Sequence, residues 1–442
     1  GATSLTVLMF PWLALGHILP FLNIAKQLAD RGFIIYLLST RINLELIKKK
    51  ITEKYADLII LIELTLPELP ELPPHYHTTN ALPPHLNMTL HKALKMSAPE
   101  FSRILQNLKA DLLIYDVLAP WAEKVAEEQK IPAGKLLTSC AAVFAYMFQW
   151  RKNPGVEFPF PAIRLPEVAK VKIIEILIKL PEELGRLDEQ NVQMMLMCTS
   201  RLIEAKYIDY CQKLLNWKVV PVGTPYQDLE QCDARNKELI DWLGTKHTNS
   251  TVFVSFGSEY FLSKEDMEEV AFALEVSNVN FIWVVRFPKG VEALLEDALP
   301  NGFLDRIGER GRVLTGFAPQ LRILNHKSTG GFISHCGWNS AMEAIDFGVP
   351  IIAMPILNDQ PINAKLMVEL GVAVEVVRDD DGKITRGELV KTLKSVVTSE
   401  TREILRAKVR EIAVALKSIR DLEMDAVALE LIKLCRNSNK SK

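Results

Sequence analysis

Residues 317–360 read FAPQLRILNHKSTGGFISHCGWNSAMEAIDFGVPIIAMPILNDQ, and their order of residue types sets the local fold. A glycine pair, Gly330-Gly331, opens a short apolar run that ends at Ser334. The polar, glycine-containing turn His335-Cys336-Gly337-Trp338-Asn339-Ser340 follows, and then a helical pattern to about Phe347 that Gly348 closes. A second apolar strand leads on to Asp359-Gln360. A strand that ends in such a turn and feeds a helix leaves backbone N–H groups at the helix start, where the helix dipole also favours an anion. In doubly wound sheets, ligands bind at this carboxyl edge.

The same grammar recurs along the chain. Leu5–Phe10 (LTVLMF) reads as a first strand, followed by a Pro/Gly turn and a helix near Pro20–Arg31. Thr251–Phe256 (TVFVSF) reads as another, followed by Gly257-Ser258 and a helix near Lys264–Ser277. Further strands are expected at Phe33–Ser39, Leu112–Tyr115, Ala133–Thr138, Asn280–Val285, Gly331–Ser334 and Pro350–Met354. Continuous apolar strands bounded by turns suit sheets covered on both faces, and their alternation with helices implies an α/β doubly wound fold, here built twice. Domains are expected at 1–236 and 237–422, with a helix and tail at 423–442 packing back on the first. Pro67–Pro84 reads as a loop, and Met194, Met195 and Met197 as packing residues of a helix.

Composition narrows the class. A chain of 442 residues, 48% hydrophobic and 24% charged, is long enough for two cores and ordinary for a soluble globular protein. A formal net charge of −2 with no large basic block argues against nucleic acid or an anionic membrane surface as partner. The six cysteines show no CxxC spacing, which suits reduced thiols in a cytoplasmic protein. Pro11, Gly16 and Pro20 interrupt the apolar N-terminal run, so neither a signal peptide nor a membrane span is expected.

With these residues in view, segment 317–360 resembles the secondary-product signature of the plant family-1, UDP-dependent glycosyltransferases. Gly16–Phe21 (GHILPF) and Val254–Ser258 (VSFGS) fit the same family. The whole chain is similar to branch-forming, sugar-on-sugar glucosyltransferases, especially the nightshade-type enzymes that extend rebaudiosides. The resemblance implies a GT-B fold, two Rossmann-like domains facing a cleft. It implies a UDP-glucose co-substrate, no cofactor or metal, a small glycoside acceptor such as a steviol glycoside extended by a β-1,2 bond, and a monomer. Residue by residue, it implies that Phe317 stacks on uracil, with Ala318 and Gln320 near base and ribose. Glu343 would accept from the ribose hydroxyls. Ser258, His335, Asn339 and Ser340 would hold the diphosphate, and Trp338, Asp359 and Gln360 would read the sugar. His17 would be the general base and Asp116 its partner. The family usually has Trp where Phe317 stands, and Leu15, Leu19 and Leu357 are apolar departures near the acceptor and donor loops.

The chemistry agrees with the residues. A sugar hydroxyl is a poor nucleophile at neutral pH, and a positioned imidazole can take its proton as the new bond forms. A carboxylate behind the ring sets the tautomer and stabilises the imidazolium. His17 follows the first strand and Asp116 ends LLIYD, so both belong at one carboxyl edge. Glucosylation of an aglycone and non-catalytic nucleotide-sugar binding stay open as alternatives. A nicotinamide dehydrogenase is disfavoured, because no G-x-G-x-x-G follows either first strand. Asp379-Asp380-Asp381 imitates a metal-binding DxD but lies in a charged turn, RDDDGK. His75, His77 and His85 match no zinc spacing.

Overall fold

The computed structural model describes residues 4–179, 194–229, 234–398 and 400–440. Two compact units emerge from the contacts: 1–157 with 178–225 and 418–442, and 158–177 with 226–417. Each is built on one all-parallel sheet. Cys232 falls outside the described residues, and the other five cysteines are buried and outside any disulfide among the described residues.

The first sheet comprises β1 (Thr6–Phe10), β2 (Ile34–Ser39), β3 (Ile59–Glu63), β4 (Leu112–Asp116), β5 (Ala133–Leu137), β6 (Met195–Met197) and β7 (Val219–Pro221). Their order is β3-β2-β1-β4-β5-β6-β7, so the winding direction reverses between β1 and β4. β4 and β5 are buried along their whole length, as strands covered on both faces must be. The expected helix packing of Met195 and Met197 is corrected: both lie on β6, fully buried. A run as short as MLM carries no period, and its place between β5 and β7 decided it.

The helix Leu15–Ala29 also starts earlier than expected and holds Pro20 inside it. Proline removes a single N–H there, while Ile18, Phe21, Ala25 and Leu28 bury one face completely. His17 consequently sits in the helix's first turn.

The second sheet comprises β8 (Thr251–Ser255), β9 (Asn280–Val285), β10 (Gly311–Thr315), β11 (Thr329–Ser334), β12 (Ile351–Ala353) and β13 (Ala373–Glu375). Its order, β10-β9-β8-β11-β12-β13, reverses between β8 and β11. The final helix, Glu400–Lys440, contributes to both units. Leu405 packs in the core around Val254 and Trp283. Met424, Val427, Leu431 and Cys435 pack in the core around Val7 and Ile114. Arg31 holds the helix's later half in place through Asp425, 2.7 Å away. No helix among the described residues is long and apolar enough to cross a membrane.

Candidate functional site

In the first unit the strand reversal brings the ends of β1 and β4 side by side. Asp116, the last residue of β4, is fully buried. A carboxylate taken from water needs donors, and three N–H groups supply them. Trp12 N lies 3.0 Å from Oδ2, Leu118 N lies 3.0 Å from Oδ1, and His17 Nδ1 lies 2.8 Å from Oδ2. With the Nδ1 proton directed at the carboxylate, Nε2 is the basic nitrogen of the ring. His17 retains 24% side-chain exposure, enough for a substrate hydroxyl to reach it.

Two neighbours escaped the sequence reading. Thr138 directly follows β5, and its Oγ1 lies 2.9 Å from His17 Nδ1. Its position at a third strand end was the available signal. His91, on the helix Asn87–Met96, stacks on Trp12 with ring centroids 3.8 Å apart and an interplanar angle of 14°. Burial above all, then the nearby charge of His17, pushes its pKa down to about 4, against a smaller opposing effect of Asp116. Nothing in the local sequence around His91 reveals this, because only the tertiary fold lays that helix over Trp12.

In the second unit the reversal lies between β8 and β11, and the loops after these strands meet. His335 is the first residue beyond β11 and is 9% exposed. Its ring is packed between two glycines: a Cβ on Gly257 or on Gly337 would lie 2.7 Å from Nε2. Gly257 also has φ +79, a conformation that L side chains rarely adopt. Burial pushes the His335 pKa down to about 4, so the imidazole is neutral near pH 7, and its Nδ1 has no partner among the described residues.

The helix Trp338–Asp346 starts behind Gly337, with no side-chain cap and no acidic residue in its first turn. That is the arrangement in which first-turn N–H groups receive an anion. Ser258 follows Gly257, while Asn339 and Ser340 lie in the helix's first turn. Trp338, read from the sequence as part of the turn, lies instead on the helix. It is the first residue of the helix and only 4% exposed, because burying an indole removes a large apolar area from water.

Glu343, 6% exposed, accepts from Gln320 Nε2 at 2.6 Å and from Gln227 Nε2 at 2.7 Å. Gln320 also reaches Ser340 Oγ at 3.2 Å. Gln227 was not singled out from the sequence, since it lies in a polar connector far from the signature. Phe317 projects with 73% exposure after Gly316, whose φ is +85, and Ala318 behind it is buried. Beyond β12, Gln360 Oε1 accepts from the N–H groups of Ile356 and Leu357, each at 3.0 Å. Asn363 donates to Asp359 Oδ2 at 3.2 Å and to Cys336 O at 2.9 Å, tying the two loops together. Asp379, by contrast, closes its own turn by accepting from Lys383 N at 2.7 Å, and Asp380 and Asp381 are exposed. His77 Nε2 lies 3.0 Å from Leu72 O, within the Pro67–Pro84 loop.

Comparison with known proteins gives these two edges a context. The "Glycosyltransferase, N-terminal domain" family matches residues 3–222, and "UDP-glucoronosyl and UDP-glucosyl transferase" matches residues 203–408. The chain is 49% identical to a β-D-glucosyl crocetin β-1,6-glucosyltransferase of Gardenia jasminoides, covering 98% of this chain and 100% of that one. It is 49% identical to a mogroside IIIx synthase of Siraitia grosvenorii, covering 95% of each. Among solved structures, a Glycyrrhiza uralensis protein complexed with glycyrrhetinic acid 3-O-monoglucuronide superposes with a TM-score of 0.85 at 23% identity, covering 99% of this chain and 97% of that one. A Phytolacca americana protein complexed with UDP-2fluoro-glucose and pterostilbene gives a TM-score of 0.78 at 26% identity, covering 98% and 100%. Two doubly wound parallel sheets of the GT-B kind, matched over nearly the whole length of such relatives, make this chain a member of the UDP-dependent glycosyltransferase family.

Proposed function

We propose that the protein transfers glucose from UDP-glucose, with inversion, to a hydroxyl of a sugar already attached to a small molecule. The observation that carries this reading is the 2.8 Å contact between His17 Nδ1 and buried Asp116 at the carboxyl edge of β1 and β4. His17 Nε2 takes the acceptor proton, the freed oxygen attacks the anomeric carbon, and the C–O bond to UDP breaks with its electron pair going to the phosphate oxygen. A single in-line displacement turns an α-linked donor into a β-glycoside. Asp116 and Thr138 hold the Nδ1 proton throughout.

On the donor side, Phe317, Ala318, Gln320 and Glu343 take the uridine. Ser258, His335, Asn339, Ser340 and the helix start take the diphosphate, and Trp338, Asp359 and Gln360 take the sugar. The exposure of Phe317, the Gln320–Glu343 bond and the uncapped helix support those roles. Asp359 and Gln360 offer paired donors and acceptors suited to glucose hydroxyls. The helix start and neutral polar groups handle the leaving charge, so no metal or other cofactor is required.

The Gardenia relative, a β-1,6-glucosyltransferase of β-D-glucosyl crocetin, supports a sugar as the acceptor. Within that class we propose a diterpene acceptor of the steviol glycoside kind and a β-1,2 linkage. The test incubates the protein with UDP-glucose in excess EDTA, with a steviol monoglucoside or its aglycone, and follows products by mass spectrometry and NMR. A sugar-on-sugar product with a β-1,2 bond is expected. Transfer to the aglycone alone would favour the aglycone reading, and no turnover of UDP-glucose with any acceptor would favour a nucleotide-sugar binder.

A further inference from the structure

Arg286 immediately follows β9 in the second unit, and among the described residues no carboxylate pairs with it. Its Nε is buried without a hydrogen-bond partner. Burial pushes its pKa downward from the ordinary arginine value, with no opposing acidic side chain among the described residues. Two other part-buried arginines of the unit, Arg310 and Arg378, make hydrogen bonds to backbone carbonyls. Arg310 donates to the carbonyls of Val279 and Glu275 at 3.0 and 3.1 Å, and Arg378 to those of Pro355 and Gly382 at 2.8 and 3.1 Å. An uncompensated cation withdrawn from water is costly, and the cost disappears when an anion arrives.

The position says which anion. β9 pairs in parallel with β8, with Val254 opposite Trp283. β8 ends at Ser255 and β9 at Val285, so Gly257 and Arg286 both follow strand ends of one sheet edge. Arg286 lines a pocket together with Phe256, Gly257 and Tyr260. Gly257 is the glycine packed on His335 and precedes Ser258. The guanidinium therefore belongs to the same carboxyl edge as the donor loops.

We propose that Arg286 is a further donor-binding residue, pairing its guanidinium with the diphosphate of the nucleotide sugar. The inference rests on the reading of UDP-glucose as donor. When the glycosidic bond breaks, its electron pair adds negative charge to the β-phosphate, so this cation stabilises the leaving group more than the ground state.

Titration calorimetry of the whole chain with UDP and with uridine tests it, using wild type, Arg286→Gln, Arg286→Met and Arg286→Lys. A charge-assisted hydrogen bond predicts UDP binding at least about tenfold weaker in the Gln and Met variants, with uridine held within about twofold. The Lys variant should recover part of the loss, and kcat with UDP-glucose should fall in the Gln and Met variants beyond any rise in KM. UDP affinity within twofold of wild type in the Gln variant would overturn the proposal. So would equal losses for UDP and uridine, with Met behaving like Gln, because that pattern marks lost packing. A wild-type protein that binds uridine but not UDP would overturn the donor reading itself, separately from any variant.

Discussion

Replacing Asp116 by asparagine removes one oxygen from a group that accepts from three N–H donors. If the remaining oxygen stays with Leu118 N, the new NH2 faces Trp12 N–H and His17, both donors in the native arrangement. His17 escapes the clash by moving its proton from Nδ1 to Nε2, and the nitrogen meant to receive the acceptor proton is then occupied. If the amide turns the other way, NH2 faces Leu118 N–H, and a buried donor is left unpaired at about 1–3 kcal/mol. Thr138 Oγ1, 2.9 Å from Nδ1, can still accept the ring proton and preserve part of the active tautomer. A positioned general base is worth about 10²–10⁴-fold, so His17→Ala should lower kcat by at least about a hundredfold. Asp116→Asn should fall short of that loss, and Asp116→Asn with Thr138→Val should reach it. The assay is steady-state release of UDP at saturating donor and acceptor, with UDP affinity measured alongside. UDP binding should stay close to wild type in all three, because the residues assigned to the donor lie in the second unit. A His17→Ala protein that keeps most of its rate, or a Thr138→Val change that adds nothing to Asp116→Asn, would refute this account of proton transfer.

Phe317→Trp should tighten UDP-glucose by less than about tenfold, since aromatic stacking is worth roughly 1–3 kcal/mol per base and Phe317 already supplies most of it. Calorimetry showing weaker binding would mean that the loop is shaped for phenylalanine. Gly257→Ala should lose donor affinity and about 1–2 kcal/mol of stability, because a left-handed alanine is strained and its Cβ would meet His335 Nε2 at 2.7 Å. Unchanged urea unfolding and UDP binding would contradict the packing around His335. His91 and His335 each have a folded pKa of about 4, below the ordinary 6.5 of the unfolded chain. The unfolded state therefore takes up protons first as pH falls, and stability is lost from about pH 6.5 down to about pH 4. Each histidine accounts for about 2 kcal/mol of the difference between pH 7 and pH 5. His91→Phe, which keeps a ring on Trp12, should flatten that loss in urea titrations, and an unaltered pH dependence would show His91 not to be responsible.

The fold class was legible in the residues themselves, and so were the strand ends at which the candidate site residues lie. Apolar runs such as Val252–Val254 and Ile333 leave no solvent face, and the turns after them, at Gly257 and Gly337, mark strand ends that open onto helices. Those signals are local, so His17, Asp116 and His335 could be placed at strand ends or helix starts, and Glu343 within the helix that follows, from neighbouring residues alone. Tertiary structure decided what is distant in the chain. Thr138 reaches His17 across 121 positions, Gln227 reaches Glu343 across 116, and His91 stacks on Trp12 only because a separate helix folds over it. It also decided burial where composition was silent, placing Met195–Met197 on a strand and turning Trp338 inward. Periodicity reports the path of one segment, whereas partners, burial and the place of Arg286 at the donor edge depend on which segments the sheet order sets side by side.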